Sequence, residues 1–272
     1  MKSRILPSFL SGILMTAAVC YAATPPAQDK KPQEDKVITI CADYWHPFNG
    51  TAGSDAPGYI VEIAETIFKK AGYRVDYQTM PWERAIDMTR AGEFNAIVGA
   101  FKTDVPDFVF PDAEMGIAET VFLVRKETAW RYTGVDSLPL VKIGIAKGYG
   151  YGQRMDDYVR ANADNSTRIE VLYGEDVVAR NLHKLAMGRI DAVVDVRAVF
   201  EYTIAKEGME GKFIEAGTIS TDKVYIAFSP RQSDSKKYAE ILSNGILELR
   251  SSGELERILF KYGCKDWGKN ES

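Results

Sequence analysis

The chain has 272 residues, 46% hydrophobic and 26% charged, with a formal net charge of -4. That balance supports a sizeable core in one domain or two modest lobes and excludes a largely disordered chain. Acidic residues outnumber basic ones, 38 to 34, and no Lys/Arg stripe occurs, so no nucleic-acid partner is expected.

The N-terminal segment MKSRILPSFLSGILMTAAVCYAA sets Lys2 and Arg4 before an apolar run from Ile5 to Val19, with small residues around Ala22. It reads as a signal peptide over 1–22, cut after Ala22, and places the mature chain in the periplasm. Two other readings stay open: a retained anchor helix, and lipidation of Cys20, which follows Val19 where a smaller residue is usual. Residues 23–36, containing TPPAQDKKPQEDK, offer almost nothing to bury and read as a disordered lead-in. No later apolar run is long enough to span a membrane.

Cleavage leaves Cys41 and Cys264. An oxidising compartment favours a disulfide between them, which the chain-entropy view values at about 4 kcal/mol for so long a loop. Two buried free thiols are the alternative.

From Val37 short β-branched runs alternate with segments of helical spacing. VITIC predicts a strand; GYIVEIAETIFKKAG puts Ile60, Ile63, Ala64, Ile67 and Phe68 on one helix face, ended by Gly72. The strand YRVDYQ, a helix from Pro81-Trp82 to Gly92 and the strand NAIVGAF follow. After the apolar run VFLVRK (121–126) comes a second series: KIGIA, a helix after a glycine loop, RIEVLY, a helix carrying Val178, Leu182 and Leu185 up to Gly188, DAVV, and a helix to about Ala205. Each series implies a mostly parallel sheet covered by helices on both faces. KVYIAFS (223–229) predicts another strand, and two helices (236–250 and 253–262) close the chain. Two helices cannot form a domain alone, so they should return to the first lobe. The expected architecture is α/β with two lobes and two hinge crossings: 37–125 with 225–272 as lobe 1, and 126–224 as lobe 2.

In open α/β sheets ligands sit beyond the carboxyl ends of the strands. Those ends here are ADYWHPF, AFKTDV, KGYGYG and VVDVR, so the expected cleft residues are Tyr44, Trp45, Phe101, Lys102, Thr103, Tyr149, Tyr151, Asp195 and Arg197. Trp82 and Arg84 lie at a helix start beside them; an anion contact and an ordinary salt bridge are equally open for Arg84. The loop KGYGYG lacks the Lys-Ser/Thr of a phosphate-binding loop and the dinucleotide spacing, which argues against a nucleotide. Its free backbone N–H groups before a helix make it an expected anion-seeking pocket, against the alternative of a tight turn whose tyrosines merely pack.

Pro47-Phe48, GYIVEIAETI, Gly92-Glu93-Phe94-Asn95-Ala96-Ile97, IGIAKG and MGRIDAVV, in that order, resemble the periplasmic solute-binding proteins of polar amino-acid ABC transporters, with the type II periplasmic binding fold. PWERAI is similar to a branch of that family with unassigned ligands. The resemblance implies a monomer that closes like a hinge on a small polar solute, an amino acid or a related amine or organic acid, and delivers it to a membrane permease; a sensor that presents the solute to a membrane receptor is the alternative. It also implies that Trp45 stacks on the ligand and that the loop at Tyr149 and Gly150 holds a carboxylate, although relatives carry small hydroxyl residues there. Two departures set the chain apart. Pro106 stands where the family has its carboxylate-clamping arginine, leaving Lys102 as a point-charge substitute, and the family's ammonium-binding acid falls at Val196, one residue past Asp195.

Enzymatic readings find little support. The chain has two histidines, His46 and His183, no metal-ligand spacing and no G-x-S-x-G. Some relatives of the fold are dehydratases, for which Asp195 or Glu201 would have to do acid–base work. The expectation is a binding protein without cofactor or metal.

Overall fold

The computed structural model describes Met1, residues 36–174 and residues 176–269; the signal-peptide and lead-in readings lie outside the described residues, except for their end residues Met1 and Lys36. The described residues from Lys36 onward form one compact unit. In chain order its elements are β1 (Lys36–Ala42), α1 (Tyr59–Lys70), β2 (Tyr73–Thr79), α2 (Trp82–Ala91), β3 (Ala96–Ala100), β4 (Gly116–Arg125), β5 (Ile143–Ala146), α3 (Gln153–Ala161), β6 (Ile169–Leu172), α4 (Val177–Ala186), β7 (Ala192–Val196), α5 (Arg197–Lys206), β8 (Phe213–Phe228), α6 (Ser235–Ser252) and α7 (Glu254–Lys261). A 3-10 turn, Val135–Leu140, precedes β5 and is absent from the sequence reading.

The strands form one curled mixed sheet in the order β2-β1-β3-β8-β4-β7-β5-β6. Each half has a parallel core: β1 pairs parallel with β2 and β3, and β5 with β6 and β7. The antiparallel pairs lie in the middle. β4 runs against β8 from Gly116 opposite Val224 to Arg125 opposite Phe213, and β8 then continues against β3 from Tyr225 to Phe228. The predicted strand KVYIAFS is thus the last third of a 16-residue strand. Its first part, FIEAGTISTD, is half exposed and Gly-interrupted, so it shows too little apolar alternation to be read as a strand.

Burial follows the helical spacing. On α1, Ile60, Ile63, Ala64, Ile67 and Phe68 are buried, and Gly72 takes φ 80 just past the helix end, a conformation that only glycine adopts at little cost. The terminal helices pack on this face. Gly245 of α6 lies so close to α1 that a Cβ there would sit 2.4 Å from Ile67 Cγ2, and Lys70 pairs with Glu254 of α7 at 2.6 Å. On the opposite face α2 covers Cys41, Ile97 and Ala227. Helices α4 and α5 place Leu182, Leu185, Val199 and Phe200 in a core continuous with that of α1, while α3 packs Met155 against Phe122, Ile143 and Val194.

The two cysteines do not pair. Cys41 Sγ is buried among Ala85, Thr89 and Ala96 beneath α2, whereas Cys264 lies at the chain end, its thiol donating to Tyr262 O at 3.6 Å. Both are free. The inference from compartment fails because the fold gives each thiol separate surroundings, and burial pushes both up to about 11, far from reactive thiolates.

Candidate functional site

The carboxyl ends of the parallel strands in both halves face one cavity of about 500 Å³. From the first half it is walled by Asp43 and Tyr44 after β1, Thr79 and Met80 after β2, and Trp82, Glu83 and Arg84 at the start of α2. The second half supplies Ala146, Lys147 and Tyr149 after β5, Leu172 and Tyr173 after β6, Asp176 to Val178 at the start of α4, and Lys206 at the end of α5. A smaller void of about 30 Å³ lies deeper, between Trp45, Phe101, Asp104 and Gly150, and shares Asp43, Trp82 and Tyr149 with the larger one.

Four side-chain contacts tie the halves together around this space. Trp45 Nε1 donates to Asp195 Oδ1 at 2.9 Å, the Tyr149 hydroxyl donates to Asp43 Oδ2, Lys147 pairs with Glu83 at 2.9 Å, and the hydroxyls of Tyr44 and Tyr202 meet at 3.4 Å. The approach depends on glycine. A Cβ at Gly150 would sit 2.2 Å from Asp104 Oδ1, and one at Gly148, which holds φ 80, would sit 2.6 Å from Glu83 Cγ.

Burial governs the acids. It raises Asp195 to about 7 against the opposing pull of the Trp45 and Val196 N–H donors, with the Asp43 charge adding to the rise. Asp43 and Asp104 are each lifted to about 6, again chiefly by burial. His46, stacked 3.8 Å from Tyr202, is lowered to about 4 by burial and by the nearby Lys206 charge.

The predicted residues divide. Tyr44, Trp82, Arg84 and Tyr149 line the large cavity; Trp45, Phe101 and Gly150 line the small one. Trp45 is 5% exposed and stacked on Phe48 at 4.3 Å, with Phe101 edge-on at 6.2 Å, so the ring expected to stack on a ligand is packed in the core. At the bulge at Gly99, φ 91, a Cβ would sit 2.8 Å from Asn49 Oδ1 and at ordinary contact distance, 3.4 Å, from the Trp45 ring.

Five predicted residues are not on the cavity wall. Tyr151 is 3% exposed in the core beneath β5, its hydroxyl accepting from Ala146 N at 2.8 Å. Lys102 lies over the rings of Tyr225 and Phe110, 4.7 and 5.7 Å from their centres. Thr103 is exposed and its hydroxyl faces Asp104 at 3.4 Å. Arg197 forks onto Glu215 at 2.8 and 2.9 Å and pairs with Glu119. Asp195 is also drawn inward, to Trp45 and the Val196 amide. Part of the glycine loop is already engaged within the protein. The Tyr151 amide already donates to Asp156 at 2.8 Å, and Gly150 faces the Asp104 carboxyl.

Sequence reasoning missed Asp43, Tyr173, Asp176 and Lys206. The strand-end rule reaches two of them, since Asp43 directly follows β1 and Tyr173 follows β6. Asp176 is the one described non-glycine residue with positive φ, 51, a strained backbone on the cavity wall that no sequence signal marks. Lys206 reaches the wall from the last residue of α5.

Known proteins resemble this chain along most of its length, and the solved structures among them share its architecture. A probable amino-acid-binding protein of Bacillus subtilis (strain 168), YxeM, is 22% identical over 262 residues, 93% of this chain and 95% of the relative. A structure described under glutathione import in Gram-positive bacteria through GshT and the cystine ABC importer TcyBC of Streptococcus mutans superposes with a TM-score of 0.70 at 18% identity, over 85% of this chain and 96% of that one. A histidine kinase sensor domain with similarity to periplasmic binding proteins gives 0.68 at 19% identity, over 84% and 96%. These likenesses establish the two-lobed fold. The sequence profile of the bacterial extracellular solute-binding proteins, family 3, matches residues 38–265, and the chain belongs to that family of solute-binding proteins.

Proposed function

We propose that this protein works in the periplasm as a monomer, captures one small polar solute in the 500 Å³ cavity by hinge closure and delivers it to the permease of an ABC importer. The lobes in this reading are 37–125 with 225–272, and 126–224, and residues 1–22 are a cleaved leader. The observation that carries it is the cavity itself, walled by strand ends from both halves of the sheet and bridged by Tyr149–Asp43, Trp45–Asp195 and Lys147–Glu83. A solute touching both walls stabilises the closed arrangement, because only closure makes both sets of contacts. β4 and β8, paired along ten residues, are the two crossings about which the lobes move. The description of YxeM as amino-acid-binding supports an amino acid or related amine or organic acid as the solute. No chemistry on the solute belongs to this reading.

A thermal-shift screen of amino acids, amines and small organic acids tests it. A ligand at a hundred times its dissociation constant should add about 2.7 kcal/mol of stability. X-ray scattering should then show a smaller radius of gyration with that ligand. A library without a single stabilising member, or a ligand that binds with no change in shape, would count against the proposal.

A further inference from the structure

The cations of the cavity wall are unequally engaged. Lys147 is neutralised by Glu83 at 2.9 Å. Arg84, three residues into α2, is exposed on the wall and makes no ion pair or hydrogen bond with any described residue. Lys206, from the end of α5 in the other half, touches only the Tyr44 ring at 5.0 Å and the Tyr44 hydroxyl at 3.4 Å among the described residues. An arginine fork and an ammonium with no carboxylate partner thus reach one cavity from its two halves, with Trp82, Tyr149, Leu172 and Tyr173 in the wall around them.

The acids are engaged in the opposite sense. Asp43 accepts from Tyr149, Glu83 is matched by Lys147, and Asp195 is turned to Trp45 and the Val196 amide. Only Asp176, near Tyr44, remains on the wall without a described partner. Two open positive charges face one open negative charge. Meanwhile Pro106 occupies the expected arginine position, and Lys102 is held over Tyr225 and Phe110 away from the cavity.

We infer that the solute of this cavity carries two carboxylates, one held by Arg84 and the other by Lys206, so that an acidic ligand is clamped between the halves by residues outside the expected loops. The inference rests on the solute-binding reading above. Arg84 offers bidentate geometry to a carboxylate, and Lys206 offers a point charge. Asp176 tolerates an ammonium on the same ligand, so an acidic amino acid and a plain dicarboxylate both fit the charge pattern. A dicationic solute would meet two positive side chains and one carboxylate. A like-charge encounter of this kind disfavours such a ligand.

Calorimetry at low salt and neutral pH with the dicarboxylate series from malonate to adipate, with aspartate and glutamate, and with the corresponding diamides and diamines tests the assignment. At least one dicarboxylate or acidic amino acid should bind, and its diamide and diamine counterparts should not. Arg84→Gln and Lys206→Gln should each weaken that ligand by about ten- to a hundred-fold, the loss of one hydrogen bond to a charged group. Arg84→Lys should recover part of the loss. Arg84 is exposed and makes no ion pair or hydrogen bond with any described residue, so Arg84→Gln should leave the melting temperature without ligand unchanged.

Diamides or diamines binding as tightly as the acids would overturn the inference, as would unchanged affinity in both glutamine variants. If no acid binds but another member of the wider library does, the two-carboxylate assignment falls and the solute-binding reading stands. If nothing in the library binds, both fall.

Discussion

The indole of Trp45, just past β1, donates its Nε1 proton to Asp195 on β7 at 2.9 Å, so a side chain from one half of the sheet satisfies a carboxyl 4% exposed in the other. The same oxygen accepts the Val196 amide at 2.7 Å. Two donors on one oxygen of a buried acid make this contact both a bridge and a titrating group.

The Asp195 carboxyl is raised from 3.8 to about 7, so the folded state binds its proton more tightly than the unfolded state does. Its contribution to stability is complete below about 3.8 and is lost as pH rises through about 7. Asp195→Asn keeps an oxygen for both donors and does not titrate. Melting curves should show the variant close to the parent near pH 4 and increasingly more stable relative to it up to about pH 7, with no further gain above. Asp43, raised to about 6, titrates in both proteins and largely cancels in the difference. A difference independent of pH would contradict the assignment.

Replacing Trp45 by Phe retains a ring against Phe48 and removes the Nε1 donor. The expected cost is about 1–3 kcal/mol of unfolding free energy, from a buried acceptor left short of a partner. Above about pH 7, where Asp195 is ionised, the cost should shrink with Asp195→Asn in the background, because a neutral amide loses less than a carboxylate does; a double-mutant cycle in urea at that pH measures the coupling. Equal costs in both backgrounds would remove the bridge from the account.

Gly150→Ala places a methyl 2.2 Å from Asp104 Oδ1 while leaving a backbone conformation open to any residue. The two halves should then fail to close as far. Affinity for the solute identified by thermal shift should fall by about tenfold or more, since small misplacements at a bridged site are costly. Adding Asp104→Ala should restore most of it. Scattering profiles of the single and double variants with ligand give the independent readout.

Gly245→Ala tests the return of the C-terminal helices. The added Cβ would lie 2.4 Å from Ile67 Cγ2 and 2.7 Å from Cγ1, inside a packed core, so α6 must shift or Ile67 must leave its rotamer. Chemical denaturation should show a loss of about 1–3 kcal/mol despite the better helix propensity of alanine. In an Ile67→Ala background, which lacks both clashing γ carbons, the cost of Gly245→Ala should shrink.

Strands, helices and their order are determined by local pattern. The 3.6-residue spacing of Ile60, Ile63, Ile67 and Phe68 and the glycine at 72 define α1 without reference to the rest of the chain, and the alternation of strand and helix implies the parallel cores of both halves. The strand-end rule likewise brings Tyr44 and Tyr149 to the cavity wall, and the start of α2 beside those ends brings Trp82 and Arg84. What local pattern cannot carry is facing and partner choice. Whether Trp45 meets a ligand or Asp195 depends on β7, which brings Asp195 to it from 150 residues away. Whether Arg197 is a ligand contact or a surface fork depends on Glu119 and Glu215, on β4 and β8, far away in sequence. Lys206 and Arg84 share a cavity only because the two halves close on one another, and long-range packing of that kind leaves no periodic trace in the chain.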